Sequence, residues 1–181
     1  PRCKVRVIPN PVCYPLAQQG SSVAVEEVIS AQQQARVLLA VGRLDPEKGF
    51  DRLLEAFASL AAVHPDWHLV VLGEGCERSR LEQARERLAL NGRVHLPGRV
   101  GNLAQWYRSA ELYVLSSRFE GFPNTLVEAL AHGLPAVAVD CKAGPRDILR
   151  HEVDGLLVAD GDDAALADAL GQLMADDELR A

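Results

Sequence analysis

The chain has 181 residues, of which 48% are apolar and 24% are charged, a composition typical of a soluble globular domain and unlike that of disordered or membrane-spanning proteins. The net charge of −6 argues against nucleic acid as a partner, because nucleic-acid binding normally needs a basic face. The sequence shows no apolar run of about 18 residues and no signal-peptide pattern at its beginning. Since the four cysteines also form no C-x-x-C pair, we expect a cytoplasmic protein with reduced thiols.

Short apolar runs alternate with segments of helical periodicity along the chain. Strands are predicted at residues 4–8, 36–41, 68–72, 94–96, 112–115, 136–139 and 156–158. Helices are predicted around residues 53–61, 77–90, 103–110, 123–132, 144–150 and 163–174. Because parallel strands need crossover connections, this alternation predicts an α/β fold with a Rossmann-like, doubly wound parallel sheet. We interpret residues 1–35 as a strand and linker that enter the domain, and residues 36–181 as the domain itself.

The stretch from residue 116 to residue 135 carries the first functional signal. It follows a predicted strand, and Pro123 and Gly133 mark the two ends of a short helix. The beginning of a helix after a parallel strand is a common position for anion binding. Glu120 lies in the loop and Glu128 lies one turn into the helix. Since carboxylates accept hydrogen bonds from hydroxyls and backbone amides donate to phosphates, the stretch indicates a sugar-nucleotide site.

Both carboxylates also have a structural interpretation. Thr125 and Glu128 fit a capping box, in which Glu128 would only stabilise the beginning of the helix. Glu120 could be a solvated loop residue. From these residues alone, the functional and the structural interpretations stay equally open.

The loop after the strand at 36–41 carries the second signal. Arg43 and Lys48 flank a turn that begins at Gly42, and a guanidinium with an ammonium group suits two adjacent phosphates. The alternative is that Lys48 is a solvated residue paired with Asp45 or Glu47. The residues alone favour that alternative for Lys48 and leave Arg43 undecided.

Four motifs together resemble the retaining family 4 glycosyltransferases, which have the GT-B fold. EGFPNTLVEALAHGLPAVA, which begins at Glu120, resembles the paired-glutamate motif of that family. GRLDPEKG at residues 42–49 resembles its diphosphate loop, VIPNPV at 7–12 its entry to the donor domain, and DGLLV at 154–158 its last strand. The motifs have the order and spacing of the family and cover nearly the whole chain.

The resemblance implies a donor-binding domain, the C-terminal half of a GT-B enzyme that transfers a sugar with retention from a nucleotide-diphosphate sugar, with uridine expected. Glu120 would bind sugar hydroxyls, Glu128 the ribose, and Arg43 with Lys48 the diphosphate. Glu120, Arg43 and Lys48 are the expected catalytic residues, because catalysis would consist mainly of orientation and leaving-group stabilisation. Further donor contacts are expected at Gly42, Arg99, Val100, Gly121, Phe122, Pro123, Asn124 and Thr125. Arg146, in a DCxxGPR element that resembles part of the family, could equally cap a helix.

The expected partners are the nucleotide-sugar donor and, through an N-terminal domain, an acceptor sugar or lipid-linked glycan. We expect a fragment of a longer protein that touches the inner membrane surface and that needs the other domain for transfer. The histidines show no metal-ligand spacing, so neither a metal nor another cofactor is predicted. A non-enzymatic sugar-nucleotide sensor and a GT-B-like sugar-nucleotide epimerase are the alternatives. The epimerase is disfavoured because the motifs of its catalytic acids and histidine are not seen.

Overall fold

The computed structural model of the chain describes residues 10–29, 35–142 and 144–180. Within these ranges six strands form one parallel sheet in the order β3-β2-β1-β4-β5-β6. The strands are β1 (Arg36–Val41), β2 (Trp67–Leu72), β3 (Val94–Gly98), β4 (Leu112–Leu115), β5 (Ala136–Asp140) and β6 (Gly155–Ala159). The strand predicted at residues 4–8 lies outside the described residues.

Helices connect the strands, as expected for parallel pairing. They are α1 (Val25–Val28), α2 (Phe50–Leu60), α3 (Arg78–Arg87), α4 (Leu103–Ser109), α5 (Asn124–Ala131), α6 (Pro145–Ile148), α7 (Asp163–Ala175) and α8 (Asp177–Arg180), with a short 3-10 helix at Pro46–Lys48. None of the described helices is long and apolar enough to span a membrane.

The sheet is covered on both faces, and β1 shows how the sequence achieves this. Leu38 and Ala40 belong to a core that is shared with α2, α3 and α7. Val37 and Leu39 belong to a second core, on the side of α4 and α5. Since successive side chains of a strand point to opposite faces, a continuous apolar run supplies two cores at once. The prediction of a doubly wound, Rossmann-like α/β fold is confirmed.

The structure departs from the sequence prediction most clearly at β3, at α8 and at the beginning of α5. β3 continues through Pro97 and Gly98, which we expected to close it. Since β3 is an edge strand, the missing amide of a proline costs no ladder bond on its open side. Helix α8 was not predicted, because its four residues, of which only Leu179 is apolar, are too few to show a helical period. Pro123 is the N-cap residue before α5, whereas the sequence prediction began this helix at Pro123.

Residues 10–29, interpreted as part of a linker, pack on the domain. The amide of Gln19 donates to the carbonyl of Gly101 at 2.9 Å. Asn102 exchanges two hydrogen bonds with the backbone of Val23, at 3.1 and 2.9 Å. Ile29 is buried in the second core. This segment therefore extends the face of the sheet that carries α4.

The order of the strands positions the functional site. β1 and β4 are neighbours, with Leu38 opposite Leu112 and Leu39 opposite Tyr113. The chain runs from β1 outward to β2 and β3, and then returns to β4 on the other side of β1. Ligands of open α/β sheets bind in the crevice at such a reversal, beside the carboxyl ends of the strands.

Candidate functional site

Two loops line the crevice between β1 and β4: the β1 loop, residues 42–49, and the β4 loop, residues 116–123. The hydroxyl of Ser116 donates to the carbonyl of Lys48 at 2.9 Å. The amide of Arg118 donates to the carbonyl of Glu47 at 2.7 Å. A β-carbon on Gly49 would lie 2.2 Å from the carbonyl oxygen of Ser116, and Gly49 has a φ of 64°. Only glycine allows the loops to approach this closely.

Arg52, in the first turn of α2, stabilises the β4 loop through hydrogen bonds to its backbone. Its side chain is buried, and its guanidinium donates to the carbonyls of Ser116 and Ser117, each at 2.8 Å. A third nitrogen lies 3.2 Å from Asp160. The sequence analysis missed this residue, since nothing local distinguishes a buried arginine from a solvated one at the beginning of a helix.

Lys48 and Glu120 meet across the crevice. Lys48 Nζ lies 2.7 Å from Glu120 Oε1, and the hydroxyl of Ser117 donates to the same oxygen at 2.6 Å. Glu120 is 6% exposed, so it is not the solvated loop acid of the structural interpretation. The expected local partners of Lys48, Asp45 and Glu47, do not form an ion pair with it. Two predicted site residues that are far apart in sequence are therefore in direct contact.

Arg43 lies at the surface of the β1 loop. Its side chain is 70% exposed and forms an ion pair with Asp45 at 3.2 Å. An exposed ion pair contributes little stability, so this guanidinium can change its partner at small cost. The structure places Arg43 on the loop of Lys48, without contact between the two side chains.

The β1 loop also contacts the loop after β2. A β-carbon on Gly73 would lie 1.8 Å from the carbonyl oxygen of Gly42. The amide of Leu44 donates to the carbonyl of Glu74 at 3.0 Å, and the amide of Glu77 donates to the carbonyl of Leu44 at 2.8 Å. The segment Gly73-Glu74-Gly75, between β2 and α3, therefore packs closely against the β1 loop.

Glu128 lies inside α5, and its carboxylate is oriented by a neighbouring helix. The hydroxyl of Tyr107 on α4 donates to Glu128 Oε2 at 3.0 Å. Burial raises the pKa of Glu128, while the Tyr107 hydrogen bond and the nearby His132 oppose the increase. The capping-box interpretation is wrong. Thr125 lies within α5 and accepts a hydrogen bond from the hydroxyl of Tyr113 at 2.7 Å, and α5 has no side-chain cap.

The beginning of α5 presents backbone amides to the crevice. Among the described residues, Gly121 and Phe122 have no backbone acceptor for their amides. The amide of Asn124 donates to the carbonyl of Phe122 at 2.9 Å, so the expectation of a free donor at Asn124 is corrected. Pro123 is buried and has no amide; a β-carbon on Gly144 would lie 2.6 Å from its ring. The amide of Thr125 likewise has no backbone acceptor among the described residues, so this turn offers amides on both sides of the proline.

The loop after β3 contains Arg99 and Val100, which by the resemblance to family 4 would meet the nucleobase, largely through the backbone. Arg99 is exposed, whereas Val100 is 7% exposed and packs in the second core. Only the backbone of Val100 is therefore available to a ligand, as the resemblance implies. Arg146 forms two hydrogen bonds with Asp140, at 2.9 and 2.6 Å, on the surface.

Trp67, Trp106 and Tyr107 stand at the helical or strand-start spacing that is typical of core residues. All three are 0% exposed, so the packing is confirmed, although the hydroxyl of Tyr107 has an additional contact with Glu128. In the described part of the chain, no three His, Cys, Asp or Glu side chains are arranged to hold a metal ion.

Comparison with known proteins gives the context of this site. An exopolysaccharide phosphotransferase of Streptomyces coelicolor is 41% identical over 138 residues, which are 76% of this chain and 15% of that protein. The amylovoran biosynthesis glycosyltransferase AmsD of Erwinia amylovora is 35% identical over 153 residues, 84% of this chain and 42% of that protein. The chain thus spans less than half of either relative.

A solved structure has the same fold. The pneumococcal O-GlcNAc transferase GtfA, crystallised with UDP and GlcNAc, superposes with a TM-score of 0.75 at 27% identity, over 88% of this chain and 33% of that chain. The sequence profile of the glycosyl transferases group 1 matches residues 25–181, which include the crevice and both of its loops. The chain therefore belongs to the group 1 family of glycosyl transferases and forms a Rossmann-like domain of the GT-B type.

Proposed function

We propose that the crevice between the β1 and β4 loops binds a uridine diphosphate sugar and presents its sugar for transfer with retention of configuration. The contact between Lys48 and Glu120 carries the proposal, because it brings a phosphate-binding cation and a hydroxyl-binding carboxylate to one point. Binding of UDP by the structural neighbour GtfA supports the same donor. Retention is supported by the resemblance to family 4.

Each charged group has a role that suits its surroundings. Lys48 and Arg43 bind the diphosphate, and the exposure of Arg43 lets its guanidinium turn toward a ligand. Glu120 accepts hydrogen bonds from sugar hydroxyls through Oε2, since Ser117 and Lys48 both contact Oε1. Glu128 accepts from the ribose. The base contacts Arg99 and the backbone of Val100, beside the loop after β2, where the amide of Gly73 donates to the carbonyl of Gly98.

Catalysis in this scheme consists mainly of stabilising the leaving group. As the bond between the anomeric carbon and the diphosphate breaks, negative charge grows on the phosphate oxygens, where Lys48 and Arg43 stabilise it. The amides of Gly121 and Phe122 add donors to sugar or phosphate oxygens. Thr125 also belongs to the proposed donor site, and its hydrogen bond with Tyr113 orients the first turn of α5. No metal or other cofactor is part of this scheme.

The whole protein is part of the proposal. The chain spans less than half of its relatives, so the acceptor would bind in a cleft against another domain. The resemblance supports a cytoplasmic enzyme that acts on an acceptor glycan at or near a membrane surface.

A thermal-shift panel with UDP, GDP and ADP tests the proposal. At one hundred times its dissociation constant, UDP stabilises the fold by about 2.7 kcal/mol, which corresponds to a Tm increase of roughly 5 to 11 °C. Lys48→Ala should lose most of the increase, whereas Arg87→Ala, which removes a surface cation paired with Glu55, should keep it. No increase with any of the three nucleotides would refute a nucleotide site, and a preference for another base would refute the uridine assignment.

A further inference from the structure

The buried hydroxyl of Tyr107 occupies one side of the Glu128 carboxylate. It donates to Oε2 at 3.0 Å and lies 3.3 Å from the carbonyl oxygen of Thr125. A phenol has one hydrogen, and the carboxylate is both the closer and the stronger acceptor. Among the described residues, no hydrogen bond engages Glu128 Oε1. The contact therefore leaves one oxygen of Glu128 available to a ligand hydroxyl.

Packing fixes the position of that hydroxyl. The ring of Tyr107 stacks on His132, with 5.1 Å between centroids, and packs at an angle against Tyr113 at 6.2 Å. Nδ1 of His132 lies 2.7 Å from the backbone carbonyl of Glu128. Since a carbonyl only accepts, this nitrogen carries the hydrogen. The Tyr107 ring is therefore packed between Tyr113 on β4 and His132, which directly follows α5, the helix that carries Glu128.

The same contact opposes the effect of burial on the pKa of Glu128. Three titratable groups face its carboxylate: Tyr107 on α4, Tyr113 on β4 and His132 just after α5. Burial raises the pKa of Glu128, and the hydrogen bond from Tyr107 is the first influence that opposes it. Burial also raises the pKa of Tyr107 well above its ordinary value, so the phenol stays a neutral donor.

We propose that Tyr107 is a positioning residue, whose hydroxyl orients the Glu128 carboxylate so that its other oxygen can accept hydrogen bonds from a nucleotide ribose. The inference rests on the proposed function, in which Glu128 binds the ribose. A residue that only fills the core would supply the ring without affecting the ligand. The two roles are separable, because Tyr107→Phe removes the hydroxyl and retains the ring.

Tyr113→Phe is the matched control. Tyr113 is also 0% exposed, and its hydroxyl donates to Thr125 Oγ1 at 2.7 Å and not to Glu128. Both substitutions remove one buried hydroxyl from the same aromatic group. A difference between them in the behaviour of Glu128 therefore reports the Tyr107 contact alone.

The first measurement is an NMR titration of the Glu128 carboxyl carbon in the free protein. Tyr107→Phe should raise the pKa of Glu128, because the charged form loses a donor, and Tyr113→Phe should not change it. The second is the affinity for UDP, measured by calorimetry between about pH 5 and pH 8. Tyr107→Phe should weaken binding on the order of tenfold at pH 7, with a larger loss toward acid pH as Glu128 becomes protonated.

A double-substitution cycle completes the test. In a Glu128→Gln background, Tyr107→Phe should have no further effect on UDP affinity, because the group through which it acts is gone. An unmoved Glu128 pKa, an unchanged pH profile, or an equal effect in the Glu128→Gln background would each overturn the inference while wild-type binding of UDP persists. If the wild-type protein binds no nucleotide, the proposed function fails, and this inference fails with it.

Discussion

Lys48 Nζ and Glu120 Oε1 lie 2.7 Å apart and join the two loops of the crevice, in an ion pair whose side chains are 21% and 6% exposed. Each loop follows a different strand, and the pair lies where those strands become neighbours. The pair holds the two loops together, and in the proposed function it also places opposite charges where a diphosphate sugar would bind. The two effects can be measured separately.

Removal of Lys48 should destabilise the fold. Lys48→Met leaves the buried Glu120 carboxylate without its cation, so the free energy of unfolding should decrease by about 1–3 kcal/mol. Urea unfolding measures the effect. Arg43→Met is the control, since Arg43 is 70% exposed, and it should change stability by less than about 0.5 kcal/mol. In the Glu120→Gln background Lys48→Met should cost less, and equal costs in both backgrounds would mean that the pair does not stabilise the loops.

The two glutamates should differ in their effects on ligands. Glu128→Gln should weaken both UDP and the intact donor, because both contain the ribose. Glu120→Gln should weaken the donor and spare UDP, since only the donor carries the sugar. Calorimetry with both ligands on both variants tests the assignment. Loss of UDP binding in Glu120→Gln alone, with normal binding in Glu128→Gln, would reverse the two roles.

The close approach of the loops should make Gly49 sensitive to substitution. A β-carbon there would lie 2.2 Å from the backbone of Ser116 at a φ of 64°, so Gly49→Ala should cost about 2–4 kcal/mol of stability. Gly121→Ala is the control, because a β-carbon at Gly121 meets no atom within 4 Å. It should change stability by less than about 0.5 kcal/mol. Chemical denaturation gives both values, and a tolerated Gly49→Ala would show that the loops can separate.

The paired histidines of β2 and β3 should make the fold acid-sensitive. His68 Nδ1 and His95 Nε2 lie 3.0 Å apart. Burial, then His68 and Arg85, lower the pKa of His95 from 6.5 to about 4. Burial and Arg93 lower the pKa of His68, while Asp66 opposes the change.

Because these folded-state pKa values are depressed, the unfolded chain takes up protons first as the pH falls. The stability that depends on the neutral pair is complete above pH 6.5 and is lost between pH 6.5 and about 4. His95 accounts for at most about 3 kcal/mol of this loss of stability, and its partial exposure makes the contribution smaller. Urea unfolding across this range should show a smaller decrease in His95→Gln than in wild type or His64→Gln. Identical pH profiles for His95→Gln and wild type would refute this assignment.

The isolated chain should bind the donor and transfer sugar poorly. Positioning of reactants contributes about 7–11 kcal/mol to lowering a barrier, and the proposed acceptor site lies in another domain. Loss of even half the lower value should slow transfer by at least about three hundredfold. Single-turnover assays with a radiolabelled sugar nucleotide should compare this chain with a longer reading frame that contains it. Equal rates would refute the two-domain proposal.

Most of the secondary structure follows from the sequence alone, because its signals are local. The apolar run at residues 36–41 coincides with β1, and the run at 112–115 coincides with β4. Gly133, with a φ of 78°, ends α5 as predicted. Because such strands alternate with helices, few topologies are available, and the fold class could be predicted from the sequence. The motifs at residues 42–49 and 120–138 likewise indicated the family before any contact was known.

The partners of the site residues, in contrast, depend on long-range packing. Glu128 fits a local capping box, yet its carboxylate contacts Tyr107 of another helix. Lys48 has acidic neighbours in its own loop, yet it pairs with Glu120, 72 residues away in the sequence. The buried Arg52 had no local signal at all. These contacts depend on β4 pairing with β1, and strand order is a property of the folded chain that hydrophobic periodicity does not encode.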